Sequence, residues 1–356
     1  MNRASLCLWV LFLGFSLSHC SFDEKEITQG MFFSGTGTSS NPFRINTPAE
    51  MALLATLVNA GDESYNNKHY ILLHDLDLSS YQNGYGWAPI GEKTGTPFKG
   101  AFEGNYKKIT GLSVHTDYNA ALFGVLHGGT IQNLGLEEVD VSGKSATGSI
   151  AGFMYNGAIS NCYVTGDISG KIQVGGVAGG VSSSTISNCY TRCTISGDES
   201  VGGLAGFVTN GSITNCYATG EISGKEGVGG LAGAISRSSV TNCAALNPNV
   251  HANAGKEGTF GRVTGSSSNS TLSNNVAWDG MQAVDINFQS GTGENHVNGA
   301  DINATMATTA TFWTTTTTHW DGWNTQIWSV TNNKLPVLKN VNGNQTINNP
   351  PLHLLQ

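Results

Sequence analysis

Residues 201–224 read VGGLAGFVTNGSITNCYATGEISG. One step upstream, 174–197 reads VGGVAGGVSSSTISNCYTRCTISG, and from residue 228 the chain opens again with VGGLAGAISRSSVTNCAAL. Cys162, Cys189, Cys216 and Cys243 recur at a spacing of 27 residues, as do Gly152, Gly179, Gly206 and Gly233. Two independent ladders with one period mark stacked supersecondary units. Each unit carries short Val-, Ile-, Thr- and Tyr-rich stretches of strand length, punctuated by Gly, Asn and Ser, and none has helical periodicity. This pattern predicts three short strands and three turns per unit. The fold class expected is all-β: a right-handed parallel β-helix with coils of about 27 residues and stacked neighbours about 4.8 Å apart.

Working outward, the repeat decays in both directions. ALFGVLHGGTIQNLGLEEVDVSG places Gly124 and Asn133 one unit before Gly152 and Asn161, and TFGRVTGSSSNSTLSNNVAW keeps Phe-Gly and Leu-Ser-Asn. Atypical end units are expected where a solenoid is capped. TPAEMALLATLVNAG is a helix: Thr47 as N-cap, Pro48 in the first turn, Glu50 closing a capping box and Gly61 as the stop. Its apolar face, Met51, Leu53, Leu54, Leu57 and Val58, is expected to cover the open first coil. NATMATTATFW holds a short helix, and Trp323, Trp328 and Leu335 are expected to cover the last coil. The boundaries are a signal segment at 1–20, an N-terminal cap at 32–69 and a β-helix at 70–290 with its regular repeats in 145–250. A C-terminal cap at 291–343 and a tail at 344–356 follow.

Columns follow from the period. Ile131, Leu134 and Leu136 alternate inward around a turn at Asn133, and Cys162, Cys189, Cys216 and Cys243 take the place of Leu134. They are expected as buried free thiols acting as small hydrophobes, with disulfides between coils as the alternative. Asn161, Asn188, Asn215 and Asn242 form a corner ladder, because Asn tolerates the left-handed backbone and its amide can bond from coil to coil. The pairs Gly175-Gly176, Gly202-Gly203 and Gly229-Gly230 suit corners or close backbone approach.

Composition agrees. Charged residues are 12%, Gly is 47 of 356, and Lys+Arg 17 against Asp+Glu 25 leaves a net charge of −8. Like charges stacked in adjacent coils would repel. A chain so poor in clustered Lys and Arg is not a nucleic-acid binder, and 39% hydrophobic residues exclude a disordered acidic tail. Met1 to Cys20 read as an export signal, with Arg3 before an apolar run from Leu6 to Leu17. Leu17-Ser18-His19-Cys20 resembles a bacterial lipobox, which makes Cys20 a candidate for lipidation. An ordinary cleavage site is the alternative.

The repeat itself, VGGLAGFVTNGSITNCYATGEISG, resembles the GLUG-type repeat of bacterial surface proteins. NPFRINTPAEMALLA, YILLHDLDLSS with WAPIG, FKGAFEGNYKKITGL and WSVTNNKLPVLK resemble flanking segments of the same group, so the likeness runs from Phe32 to Val341. It implies an adhesin-like surface protein. Similar repeats also sit beside protease domains of IgA-cleaving metallopeptidases, but this chain has no HExxH.

The sequence predicts no catalytic, cofactor-binding or metal-ligating residue. Asp75 and Asp77 could serve glycoside chemistry as a carboxylate pair, yet bonding to turns is the expected role. Asp167 and Glu221 sit at equivalent places with Thr194 between them, too sparse for a calcium or catalytic cluster. His115 and His127 read as loop or surface residues. The expected function is a non-enzymatic, exported, adhesin-like protein at the cell surface, in the outer membrane or secreted, binding an extracellular protein or glycan. It would meet a membrane through a lipid at Cys20. The alternative is a carbohydrate-active β-helix enzyme or glycan-capture subunit. Tyr81, Tyr85, Trp87, Tyr118, Tyr155 and Trp278 gathered beside acids in one groove would favour that alternative. A Ser/Thr/Asn surface would favour adhesion.

Overall fold

The left-handed backbone at Asn188, φ +51°, turns the chain from Thr185–Ser187 into Tyr190–Ser196, and the same device repeats along the protein. A computed structural model describes residues 33–253, 258–317, 320–341, 343, 345 and 351–355. The signal segment and Cys20 lie outside the described residues. The chain winds as a parallel β-solenoid. One rung ladder runs through nine coils, from Phe43–Ile45 through His69–Leu72, Ala101–Thr110 and Thr130–Ser142 to Thr271–Ser273.

A regular coil has four strands rather than the three expected. Ile172–Gly175 belongs to a five-stranded sheet and Ala178–Ser182 to a six-stranded sheet. Thr185–Ser187 and Tyr190–Ser196 belong to one large sheet that wraps the remaining sides. Three corners per coil take φ near +50°. The Asn column, Asn133, Asn161, Asn188, Asn215, Asn242 and Asn274, is one. Asn156, Ser183, Asn210, Arg237 and Asn269 form the second, and Ala146, Gln173, Ser200 and Gly227 the third. The corners are therefore not glycine's main use. At Gly175 a Cβ would lie 2.2 Å from the Ala178 carbonyl oxygen and 2.6 Å from Ala205 Cα, so Gly is required for close approach between coils.

Inward columns such as Ile159, Ile186, Ile213 and Val240 are fully buried and join one continuous core from Phe33 to Met281. The helix Pro48–Asn59 closes its N-terminal end. Thr47 and Glu50 make the capping box, and Gly61 follows at φ +76°. Its buried face is Met51, Ala52, Leu54, Ala55 and Val58. Leu53 and Leu57 lie only partly buried, packed against the same core.

The far end differs from expectation. The last coil is covered by residues 286–299: the Val297 carbonyl accepts from Val263 and Thr264 amides, and Gln289 bonds Phe260 and Gly265. Trp323, Trp328 and Leu335 instead belong to a strap along the side of the solenoid. It includes short helices Ala304–Ala307 and Ala310–Thr314 and the antiparallel pair Trp328–Ser329 with Val337–Leu338. The strap covers an outward column of Tyr163, Tyr190 and Tyr217, whose rings stack at 5.3 and 4.9 Å. Outward aromatics at every coil would expose a long apolar strip, and burial under Trp313, Trp323 and Trp328 removes it from water. Nor are all the final residues a free tail. Gln345 is buried and accepts from the Tyr190 hydroxyl at 3.1 Å, and His353 bonds the Leu246 carbonyl.

Candidate functional site

The interior columns come first, since they recur most. Cys162, Cys189, Cys216 and Cys243 are fully buried free thiols that continue the Leu134 position, and Cys193 is a fifth buried thiol. Their role is more polar than that of a small hydrophobe. Cys216 Sγ donates to the Thr214 carbonyl at 3.2 Å and accepts the Cys189 amide N–H at 3.3 Å, and Cys243 does the same with Thr241 and Cys216. In the next coil Asn275 replaces the thiol. Its Oδ1 accepts from the Cys243 amide and its Nδ2 donates to Val240. The column therefore satisfies the amides that follow the Asn188, Asn215 and Asn242 corners. Burial pushes the Cys162, Cys193 and Cys216 thiols up, which keeps them protonated donors.

The Asn ladder is strung by amides: Asn242 to Asn215 at 2.7 Å, Asn215 to Asn188 at 3.4 Å and Asn161 to Asn133 at 3.0 Å. Glu103 ends it by accepting from Asn133. The chain of bonds is interrupted at Asn161, whose Oδ1 is buried with no partner among the described residues.

Of the acids, Asp75 Oδ1 accepts the Lys108 amide and Asp77 Oδ1 the Ser79 amide, each at 2.9 Å. The Ser79 N–H and hydroxyl hold the Asp77 carboxyl below its ordinary value. Both thus tie down irregular first coils, as expected of turn-bonding residues. Asp167 lies in register with Thr194 on one side and Asp140 on the other.

Asp140 belongs to a cluster that sequence reading missed. His115 Nδ1 meets Ser142 Oγ at 2.7 Å, while its Nε2 meets Ser113 Oγ at 2.9 Å and Asp140 Oδ2 at 3.7 Å. A nucleophile relay needs the hydroxyl and the orienting carboxylate on opposite ring nitrogens, with the carboxylate held in place. Ser142 and Asp140 do lie on opposite nitrogens, but Asp140 stands 3.7 Å from Nε2, shares that nitrogen with Ser113 and has a side chain 68% exposed, so the carboxylate is not held in place. The geometry serves as a bridge between coils. A second buried network was also missed. Glu137 takes the Lys108 ammonium at 2.9 Å and the Tyr163 hydroxyl at 2.8 Å, so both its oxygens are compensated. The signal for it was the step-27 tyrosine beside Cys162, Cys189 and Cys216.

The aromatic candidates scatter. Trp87 is buried and donates to the Leu122 carbonyl, Tyr81 packs edge-on against it, and Trp278 lies against His353. Tyr85, Tyr118 and Tyr155 are exposed. The Tyr85 carbonyl accepts from His115, Tyr118 bridges to Ser145, and Tyr155 stands on the six-stranded sheet. No single groove gathers them with acids among the described residues. The outward columns beside the Asn corner are hydroxylic instead. They are Thr185, Ser212, Ser239 and Thr271, then Ser160, Ser187, Thr214, Thr241 and Ser273. Among the described residues no group of three or more His, Cys, Asp or Glu could hold a metal ion, and no helix is long and apolar enough to cross a membrane.

Known proteins share this architecture. The family model of the GLUG motif matches residues 143–169 and 197–223. A candidate Gly-rich membrane protein of Evansella cellulosilytica is 34% identical over 163 residues, 44% of this chain and 18% of that protein. Halomucin of Haloquadratum walsbyi is 33% identical over 138 residues, 36% of this chain and 1% of that protein. The matched regions thus span less than a fifth of these relatives. A crystal structure described as that of a candidate immunoglobulin A1 protease from Bacteroides ovatus superposes with a TM-score of 0.71. It covers 87% of this chain and 96% of its own at 24% identity, a likeness of fold alone.

Proposed function

Because this chain is a parallel β-solenoid carrying GLUG repeats, we propose that it is an exported, surface-held, adhesin-like protein that binds an extracellular partner without catalysing a reaction. The observation that carries this reading is the outward surface of the regular coils: flat, rigid columns of Ser and Thr repeated coil after coil. Such a face suits an extended partner that makes many similar contacts. The names of the relatives, a membrane protein and a halomucin, support a place at the cell surface. A carbohydrate-active enzyme would need a carboxylate pair free to exchange protons, whereas Asp75 and Asp77 are each committed to a backbone amide.

Beads coated with the mature protein should adhere to extracellular matrix, mucus or whole cells above albumin-coated beads. Adhesion equal to albumin on all three would refute the reading. Attachment through Cys20 has a separate test. A palmitate analogue should label the wild type and not Cys20→Ala, and equal labelling would exclude that residue.

A further inference from the structure

The six-stranded sheet carries two columns on its outer side, the first of them buried at Val125 and Gly180 and part-exposed elsewhere. One is Val125, Phe153, Gly180, Phe207, Ala234 and Ser266, and the other is His127, Tyr155, Ser182, Thr209, Ser236 and Ser268. Their alternating partners Met154, Val181, Val208 and Ile235 are buried in the core. The aromatics gather at one end of this face. Tyr155 is 43% exposed and its ring lies 5.0 Å from that of His127. Phe153 and Phe207 are half-buried, on either side of Gly180. A Cβ at Gly180 would lie 2.6 Å from Phe153 Cδ2, so the glycine lets the phenyl ring lie down along the sheet.

None of these twelve positions is Asp, Glu, Lys or Arg. The next corner is Asn156, Ser183, Asn210, Arg237 and Asn269, and beyond it lie the hydroxyl columns described above. The single cation there, Arg237, bonds Asn210 Oδ1 at 3.1 Å. Charged side chains collect elsewhere, as in the exposed pairs Lys144–Asp117 and Lys225–Asp198.

From this arrangement we propose that the six-stranded face, with its Asn/Ser corner, is a binding site for a neutral polysaccharide. The proposal rests on the adhesive reading above and names its partner. Aromatic rings offer a flat apolar face to the C–H side of a pyranose ring. The adjoining hydroxyls and amides match sugar hydroxyls in both donor and acceptor character. The coils repeat about every 4.8 Å, near the length of one sugar residue, so successive coils can meet successive sugars. An acidic polymer would find few cations here, Arg237 at the corner and Lys99 one coil before His127. A peptide could add as a strand only at the ends of this sheet and not along its face, since each interior strand is paired on both sides.

The test is affinity electrophoresis of the mature protein in gels holding laminarin, galactomannan or dextran, beside gels holding polygalacturonate or hyaluronan. Retardation is expected in at least one neutral gel and in neither acidic gel. Tyr155→Ala and Phe207→Ala should each weaken it roughly tenfold, the usual loss for an aromatic anchor. Tyr85→Ala, exposed on another face, should leave it unchanged, and circular dichroism melts should show that all variants fold. Retardation confined to acidic gels, absent from all five, or equal in wild type and both variants would overturn the proposal. Bead adhesion separates the two ideas. Undiminished adhesion by Tyr155→Ala would sink this site and leave the adhesive reading standing, whereas loss of adhesion by the wild type itself sinks both.

Discussion

Replacing Cys216 separates the two roles a buried thiol could have. If it merely fills space, Cys216→Val should be the mildest change. If it is a hydrogen-bonding node, Cys216→Ser should be. The sulfur is fully buried, donates to Thr214 and accepts the Cys189 amide. Cys216→Ala removes buried apolar volume worth about 1 kcal/mol and strands the Cys189 N–H at a cost of about 1–3 kcal/mol. The expected loss is therefore about 2–4 kcal/mol. Val restores the volume and keeps the stranded amide, for about 1–3 kcal/mol. Ser keeps both hydrogen bonds and loses about 1 kcal/mol of apolar burial. Guanidinium unfolding followed by tryptophan fluorescence and far-ultraviolet dichroism should rank the midpoints wild type, Ser, Val, Ala, with coincident transitions and a common slope. A valine variant as stable as wild type and more stable than the serine variant would refute the reasoning.

Other expectations are shorter. Asn188→Ala should cost about 2–3 kcal/mol through its left-handed backbone and its lost amide bond, while Asn188→Gly should cost less; equal midpoints in denaturant would count against the corner role. Tyr217→Phe removes the bond to the Pro336 carbonyl, 2.7 Å, so proteolysis within 303–341 should quicken while the solenoid's dichroism holds. Burial lowers the His353 pKa below its ordinary 6.5, and a bond to Leu246 opposes the shift. The imidazole is thus neutral when folded, and its contribution is present above pH 6.5 and lost as pH falls through the folded value. Acidification below about 6.5 should accelerate cleavage of the strap, and His353→Gln should flatten that pH dependence.

What the sequence disclosed depended on whether a structural demand selects a side chain. The Asn corner did, because a left-handed residue with a coil-to-coil amide favours Asn, and the period was visible at once. The corner of Ala146, Gln173, Ser200 and Gly227 makes the same backbone demand without that bond, so no residue type recurs and the column stayed hidden. The first coils blurred because an insertion separates Tyr70 from its register partner Phe102 by 32 residues. Tyr163, Tyr190 and Tyr217 were legible in the Asn-Cys-Tyr repeat. Their outward direction beside an inward Cys already implies a cover, and that cover is the strap. The His115 cluster joins residues one 27-residue period apart, His115 with Ser142 and Ser113 with Asp140, but the histidine does not recur in later coils, so the spacing alone did not mark it. Sites on the outer faces were least legible: the outward Ser and Thr columns keep the period, but that recurrence marks the solenoid and names no partner.

The most direct test of a passive, partner-binding solenoid follows retention and chemistry in one tube. Immobilised mature protein is incubated with soluble polysaccharides, and bound polymer and new reducing ends are measured together. The account predicts bound polymer with no rise in reducing ends over a blank matrix. Shortening of any polymer would contradict it.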